Sequence, residues 1–269
     1  MLKAAPMLLL LASCGGQQAP RNRDEPAPVV APAATANVAE RAAQAVAIDE
    51  ETDLLEFHLA WPAEISAVPA LATNLRSAAM AHKAQLAKIA AQDKKDRAKE
   101  DFPFHTYAFG QDLEIAGSTP RLLSASQSWY EFTGGAHPNH GTKALLWDRE
   151  SGREIAFADL FEGGTTKLEA LLKPAFCAGL DKARAEKRGP EDSAAVVGPD
   201  DPFNQCPKLS ELALIPGGTS GHPMTKVTVH ADPYVAGPYA EGDYDVELPV
   251  TAAMLAAIKP EYRSSFATS

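Results

Sequence analysis

The spacing of apolar residues changes period twice along this chain, and that switch limits the folds open to it. Leu55, Phe57, Leu59 and Trp61 alternate with Glu56, His58 and Ala60, the period of two that gives a strand with one buried face. From Ser66 onward the apolar positions recur every three or four residues, at Leu71, Leu75, Ala79, His82, Leu86 and Ile89. That is one face of a long helix, with Pro69 tolerable in its first turn. The mixed-charge run Asp93–Asp101 forms a solvated end. His82 sits in the apolar stripe and reads as a core histidine. His58 falls on the polar face of its strand and reads as a solvated one.

Strand patterns then return over Phe104–Leu113, Arg121–Phe132 and Thr142–Trp147, with Tyr107, Phe109, Trp129, Tyr130 and Phe132 as β-forming aromatics. A turn over residues 148–153 leads into Glu154–Phe157. A second helix follows, with Thr166 and Glu169 spaced as a capping box. Leu168, Leu171, Leu172 and Leu180 form its apolar face. Lys182, Arg184, Lys187 and Arg188 suit its C-terminal end, and Gly189-Pro190 stop it. Three further runs, Glu211–Ile215, Lys226–Ala231 and Asp243–Val250, precede a short helix over Thr251–Ile258. The order predicts an α+β fold on antiparallel sheets, with a long helix in the first half and a second helix in the C-terminal half.

The N-terminus has a different logic. Lys3 precedes Met7-Leu8-Leu9-Leu10-Leu11-Ala12-Ser13-Cys14, an apolar stretch too short to span a bilayer and built like a secretory signal. Leu11-Ala12-Ser13-Cys14 resembles the bacterial lipoprotein box, which implies cleavage after residue 13 and lipidation of the Cys14 thiol. Several acyl chains, palmitate among them, make a stable membrane anchor. Gly15 after the cysteine implies the outer membrane, facing the periplasm. Residues 14–50 are rich in Ala and Pro with no aromatic residue, the composition of a disordered tether. Export leaves Cys177 and Cys206 in an oxidising compartment, where a disulfide persists. The alternative is a catalytic or metal thiol, but neither has a CxxC or a partnered histidine nearby.

Net charge is −10 from 25 basic and 35 acidic residues. This argues against nucleic acid as a partner, since phosphate binding needs a concentrated basic surface. No phosphate loop, nucleophile elbow or metalloprotease motif occurs. The sequence therefore names no catalytic residue, metal ligand or cofactor. Two segments stand out. In Tyr130–Gly141, Gly134-Gly135 precedes His137, Asn139 and His140. A hydrogen-bonded turn, a ligand-recognition loop and a metal or acid–base site are all open there. In Asp232–Gly242, two Pro, two Gly, Tyr234 and Tyr239 make a defined loop. Its tyrosines suit either recognition or burial as anchors.

Four pieces in order carry a family resemblance: Y-E-F-T-G-G-A-H-P-N (130–139), G-x-E-I-x-x-x-D-L-F (152–161), P-Y-x-x-G-P-Y-A-E-G (233–242) and L-x-x-I-K-P-E-Y-R, from Leu255 in Met254-Leu255 to Arg263. They resemble the extracytoplasmic domain of RsiV-type anti-sigma factors and PdaC-type peptidoglycan deacetylases. The resemblance implies a PdaC-like α+β unit over residues 51–135 and an RsiV-like C-terminal unit over 136–269. RsiV binds lysozyme through this domain to control a sigma factor. PdaC keeps its deacetylase chemistry in an additional domain whose T-F-D-D motif is absent here. The expectation is therefore a non-catalytic envelope lipoprotein binding a protein or glycan, such as lysozyme or peptidoglycan. Candidate contacts are Tyr130, His137, Asn139, His140, Tyr234 and Tyr239. The rival is a peptidoglycan deacetylase or hydrolase using His137 and His140.

Overall fold

Residues 43–192 and 201–269 are described by the computed structural model. The expected signal peptide, Cys14 and most of the expected tether lie outside them. Period-two burial begins earlier than the sequence suggests. Strand β1 (Val46–Glu51) pairs antiparallel with β2 (Leu55–Trp61), so the tether expected to residue 50 gives way to structure at Val46. Its burial is shallow, with only Val46 and Ile48 partly covered, which is why composition alone did not reveal it.

A short helix α1 (Ala63–Ser66) and the long α2 (Pro69–Lys99) cross from β2 to β3 (Tyr107–Ser118), which lies parallel to β2. Strands β4 (Leu122–Phe132), β5 (Asn139–Asp148) and β6 (Arg153–Glu154) then add antiparallel, giving one six-stranded sheet in sequence order. The expected unit boundary at residue 135 falls in the turn between β4 and β5 of this sheet. Helix α2 covers one face with Leu71, Leu75, Ala79, Leu86 and Ala90 against Phe57, Leu59, Phe109, Leu123, Leu145 and Trp147. The stripe ends on Ala90, leaving Ile89 46% exposed.

The second core lies beyond the other face of β4 and β5. Strands β7 (Ala213–Gly217), β8 (Lys226–Ala231) and β9 (Tyr244–Pro249) form an antiparallel sheet. Helix α3 (Gly164–Asp192) packs against β9. Leu168, Leu172, Phe176 and Leu180 from α3 meet Val227, Val229, Tyr244 and Val246, together with Leu122 and Leu146 of the large sheet. A β-bulge between Ile115 and Gly117 turns the Ala116 carbonyl out of the ladder. It accepts the Gly218 N–H at 2.9 Å, joining the two sheets. Helices α4 (Ala252–Ala257) and α5 (Pro260–Arg263) close the chain.

The α+β reading, the two main helices and the mostly antiparallel sheets agree with this architecture. Several boundaries differ. Helix α3 starts at Gly164, so Thr166 lies in its first turn rather than capping it. Positive φ at Gly163 and Gly164 turns the chain into the helix instead. Gly189, with φ 71°, breaks the helix where Gly-Pro was expected to stop it. Phe157–Leu160 and Leu209–Glu211 are 3₁₀ turns, in which Asp159 and Glu211 accept the backbone N–H groups of Ala156 and Lys208, so the run expected from Glu211 becomes strand only at Ala213.

Both histidines assigned from period are better held than expected. His82 is half-exposed rather than core, with Nε2 2.6 Å from Glu131 Oε2 and its ring against Phe109. His58 is on the polar face but bridges Asp49 at 2.7 Å and Asp112 at 3.0 Å, joining β1, β2 and β3. Hydrogen bonds to Asp49 and then Asp112 raise its pKa. The stabilisation from this clip is therefore complete below about pH 6.5, the unfolded value. It fades as pH rises through the higher folded value. The stability difference between wild type and His58→Ala, measured by urea unfolding, should shrink as pH is raised from about 6 towards 9. A difference that grows with pH would contradict the clip.

Candidate functional site

The four resemblance motifs meet in two pairs. The segment over 152–161 docks on the closing segment. Phe161 bridges Ile258, Lys259 N–H donates to the Leu160 carbonyl at 2.8 Å, and Lys259 Nζ donates to the Asp159 carbonyl. This pair is structural. The other pair, the β4–β5 turn and the loop over 232–243, makes an exposed aromatic surface.

Tyr239 is its centre. Its ring stacks on His137 with centroids 4.3 Å apart, meets the edge of His140 at 5.7 Å and tilts against Tyr234 at 5.6 Å. Its hydroxyl donates to the Pro138 carbonyl at 3.3 Å. Tyr234 is 58% exposed and sits at φ 69°, a backbone region that costs a bulky residue about 1–3 kcal/mol. The turn Asp232–Gly237 imposes it, with Tyr234 N–H bonded to the Gly237 carbonyl and Val235 N–H to Asp232.

Of the six residues expected from sequence, His137, His140, Tyr234 and Tyr239 thus share one surface. Tyr130 lies opposite His140 in the β4–β5 register, with its ring over the bare backbone of Gly110. Asn139 pairs with Glu131 one residue along β5. Strand alternation sends its side chain to the other face.

Helix α3 straps the tyrosine loop down. Buried Arg184 donates to the carbonyls of Ala236 and Gln205, each at 2.9 Å. Arg188 forms a two-pronged pair with Glu241 and also reaches Asn204. Lys187 donates to the carbonyls of Glu241 and Asp243. Burial alone would raise the Glu241 carboxyl, but Arg188 and the Tyr244 hydroxyl hold it below its ordinary value. The expected disulfide, Cys177–Cys206, pins the segment that carries Asn204 and Gln205 to the same helix.

Below the aromatics lies a cluster that the sequence reading missed. His230 is buried, with Nδ1 2.8 Å from Asp245 Oδ1 and Nε2 3.0 Å from Asp232 Oδ1. Burial opposes its protonation, yet the two carboxylates raise its pKa to about 9. Asp232 Oδ1 also accepts the Thr142 N–H at 2.7 Å, on the β5 edge left open by the short β6. Gly141 admits that carboxylate, since a Cβ there would lie 2.7 Å from Asp232 Oδ2. Asp243 Oδ1 stands 3.5 Å from His140 Nε2. Atoms of His230, Asp232 and Asp243 fall within 4.8 Å of one another, a set that could hold a metal ion. The sequence signal was there as two i, i+2 pairs, His230/Asp232 and Asp243/Asp245, which alternation places on one side.

Two clefts flank the cluster. One of about 490 Å³ between the sheets is lined by Glu114, Ser126, Thr142, Thr228, His230 and Asp245. One of about 770 Å³ along the β5 edge is lined by Ala144, Leu146, Ile155, Phe157, Leu168 and Asp232, among others. None of the four patch residues lines either of these clefts; His137 and Tyr234 are exposed, and His140 and Tyr239 are half-buried. His137 Nδ1 donates to its neighbour's carbonyl at 2.9 Å, and His140 has only the distant Asp243.

Residues 48–140, from within β1 to the start of β5, match the family model described as Deacetylase PdaC. No curated protein matches the chain. Two solved structures of DUF3298-family proteins are similar to it. One, from Pseudomonas aeruginosa, has 15% identity and a TM-score of 0.47, and the match covers 83% of this chain and 95% of that one. The other, from Bacteroides fragilis, has 16% identity and a TM-score of 0.47, with 81% and 94% covered. Among the described residues no helix is long and apolar enough to cross a membrane.

Proposed function

We propose that the chain is a cell-envelope lipoprotein, anchored through Cys14, whose folded part binds a protein or glycan without catalysing a reaction. The observation that carries this is the open patch of His137, His140, Tyr234 and Tyr239, held rigid by α3. A small molecule calls for an enclosing pocket. An exposed, pre-ordered aromatic surface suits a large partner, because tyrosine supplies contact area at low entropic cost. The strained backbone at Tyr234 is in keeping with a residue held out for contact. The net charge of −10 favours a basic partner such as lysozyme; peptidoglycan is the glycan candidate, on the tyrosines rather than on charge. Such charge raises the association rate rather than the specificity.

In a pull-down, the full chain should retain lysozyme at low salt and progressively lose it as salt is added. Retention that ignores salt would remove electrostatic steering, and no retention of lysozyme or peptidoglycan would remove the ligand class. The rival reading, a peptidoglycan deacetylase or hydrolase, draws on the PdaC match and the His140–Asp243 approach. It requires that the parent protein turn over peptidoglycan and that His137→Ala or His140→Ala abolish turnover. Binding with no turnover in the parent decides for recognition.

A further inference from the structure

The cluster under the aromatic patch has the composition and the supporting contacts of a metal site. Its donors are two imidazoles and two carboxylates: His230 Nε2, His140 Nε2, Asp232 and Asp243. They come from β8, β5 and both ends of the tyrosine loop. His230 has its other nitrogen, Nδ1, 2.8 Å from Asp245 Oδ1. That carboxylate–imidazole contact orients a metal-binding histidine and presents Nε2 to the ion. Asp232 is likewise oriented, by the Thr142 N–H at 2.7 Å.

Asp243 supplies the independent observation. Its Oδ1 is shut off from solvent and accepts no hydrogen bond, a costly state for a carboxylate oxygen. His140 Nε2 stands 3.5 Å from it, beyond good hydrogen-bond range. A cation between the two would satisfy both.

The spacing is compatible. A tetrahedral shell with bonds of about 2.0–2.2 Å places its donors about 3.4 Å apart. Here atoms of His230, Asp232 and Asp243 lie within 4.8 Å, and Asp243 and His140 within 3.5 Å. Closure therefore needs side-chain shifts of about an ångström, and the partly exposed side chains of Asp232, Asp243 and His140 leave a way in. Mixed nitrogen and oxygen donors favour zinc and its transition-metal neighbours over calcium or magnesium, which take oxygen ligands.

We propose that His140, His230, Asp232 and Asp243 bind one divalent transition-metal ion, zinc foremost, with Asp245 orienting His230. The ion ties the start and end of the tyrosine loop to β5 and so fixes the floor of the aromatic patch. This holds whatever the patch itself binds.

The test uses the full chain, stripped with chelator and titrated with Zn²⁺ alone by calorimetry, with metal content read after dialysis. One ion per chain is expected, with a rise in melting temperature. Asp243→Asn should abolish stoichiometric uptake, and Asp245→Asn should weaken affinity about 10–100-fold. His58→Ala, which removes a histidine–carboxylate cluster elsewhere in the fold, should leave uptake unchanged. Melting of the metal-free variants checks that they fold, and His140→Gln replaces Asp243→Asn if the latter does not. Absence of stoichiometric zinc, uptake that survives Asp243→Asn or His140→Gln, or uptake abolished by His58→Ala overturns the proposal.

Discussion

Arg184→Met should lower stability by about 3–5 kcal/mol. Arg184 is 4% exposed and donates to the carbonyls of Ala236 and Gln205. It also makes longer contacts to the Asn204 carbonyl and to Asp181. Methionine fills similar space but donates nothing, so at least two carbonyls lose a charged donor where water has little access. Each such loss costs about 1–3 kcal/mol. Burial lowers the pKa of Arg184 somewhat, but arginine stays charged at any working pH, so the loss should be nearly independent of pH. The shift should appear in the urea midpoint with little change in slope. The tyrosine loop should also lose protection in hydrogen exchange. A loss below about 1 kcal/mol would mean that the carbonyls find other donors.

The Cys177→Ala/Cys206→Ala double variant comes next. The bond closes a loop with a sequence separation of 29. Releasing a loop of that length costs about 3–4 kcal/mol in the chain-entropy model. Cys206 also packs against the second core, so the double variant should lose some contact energy as well. Reduction of the wild type should reproduce most of the fall in midpoint. Both changes act on the same small region, since Cys206 follows Gln205, whose carbonyl Arg184 holds. Combined with Arg184→Met they should therefore be less than additive. Wild-type protein whose midpoint is indifferent to reductant would contradict the staple.

How much of this was legible depends on the kind of interaction that specifies each part. β2 and α2 announce themselves because one face of each is buried by many residues in register. Leu55 through Trp61 alternate, and Leu71 through Leu86 step at helical spacing. β1 did not, because its apolar alternation is only Val46 and Ile48, both half-buried, and the rest of its pairing rests on backbone hydrogen bonds and on Asp49 meeting His58. The extra turn at Phe157–Leu160 was hidden for a related reason. Asp159 reaching back to the Ala156 N–H decides it locally, and a single side-chain contact leaves no periodic pattern. The patch was half visible. His137, His140, Tyr234 and Tyr239 are unusual in their own segments, but nothing in either segment says that residues about a hundred positions apart will stack. Asn139 was misplaced by the simple fact that neighbours on a strand face opposite ways. The His230 cluster is marked in the sequence only by the pairs His230/Asp232 and Asp243/Asp245, and each member, taken alone, is an ordinary strand or loop residue.

The recognition reading depends most on Tyr234, which is exposed, strained and free of any role in the core. The direct measurement is the binding isotherm of the full chain for lysozyme, and in parallel for peptidoglycan fragments, comparing wild type with Tyr234→Ala. Truncating a central tyrosine anchor at a recognition surface costs about 2 kcal/mol or more. The expected result is a Kd weaker by about thirtyfold, with a urea midpoint close to that of wild type because Tyr234 is exposed and outside both cores. An unchanged Kd for whichever ligand the wild type binds would contradict the assignment of the aromatic patch as the binding surface.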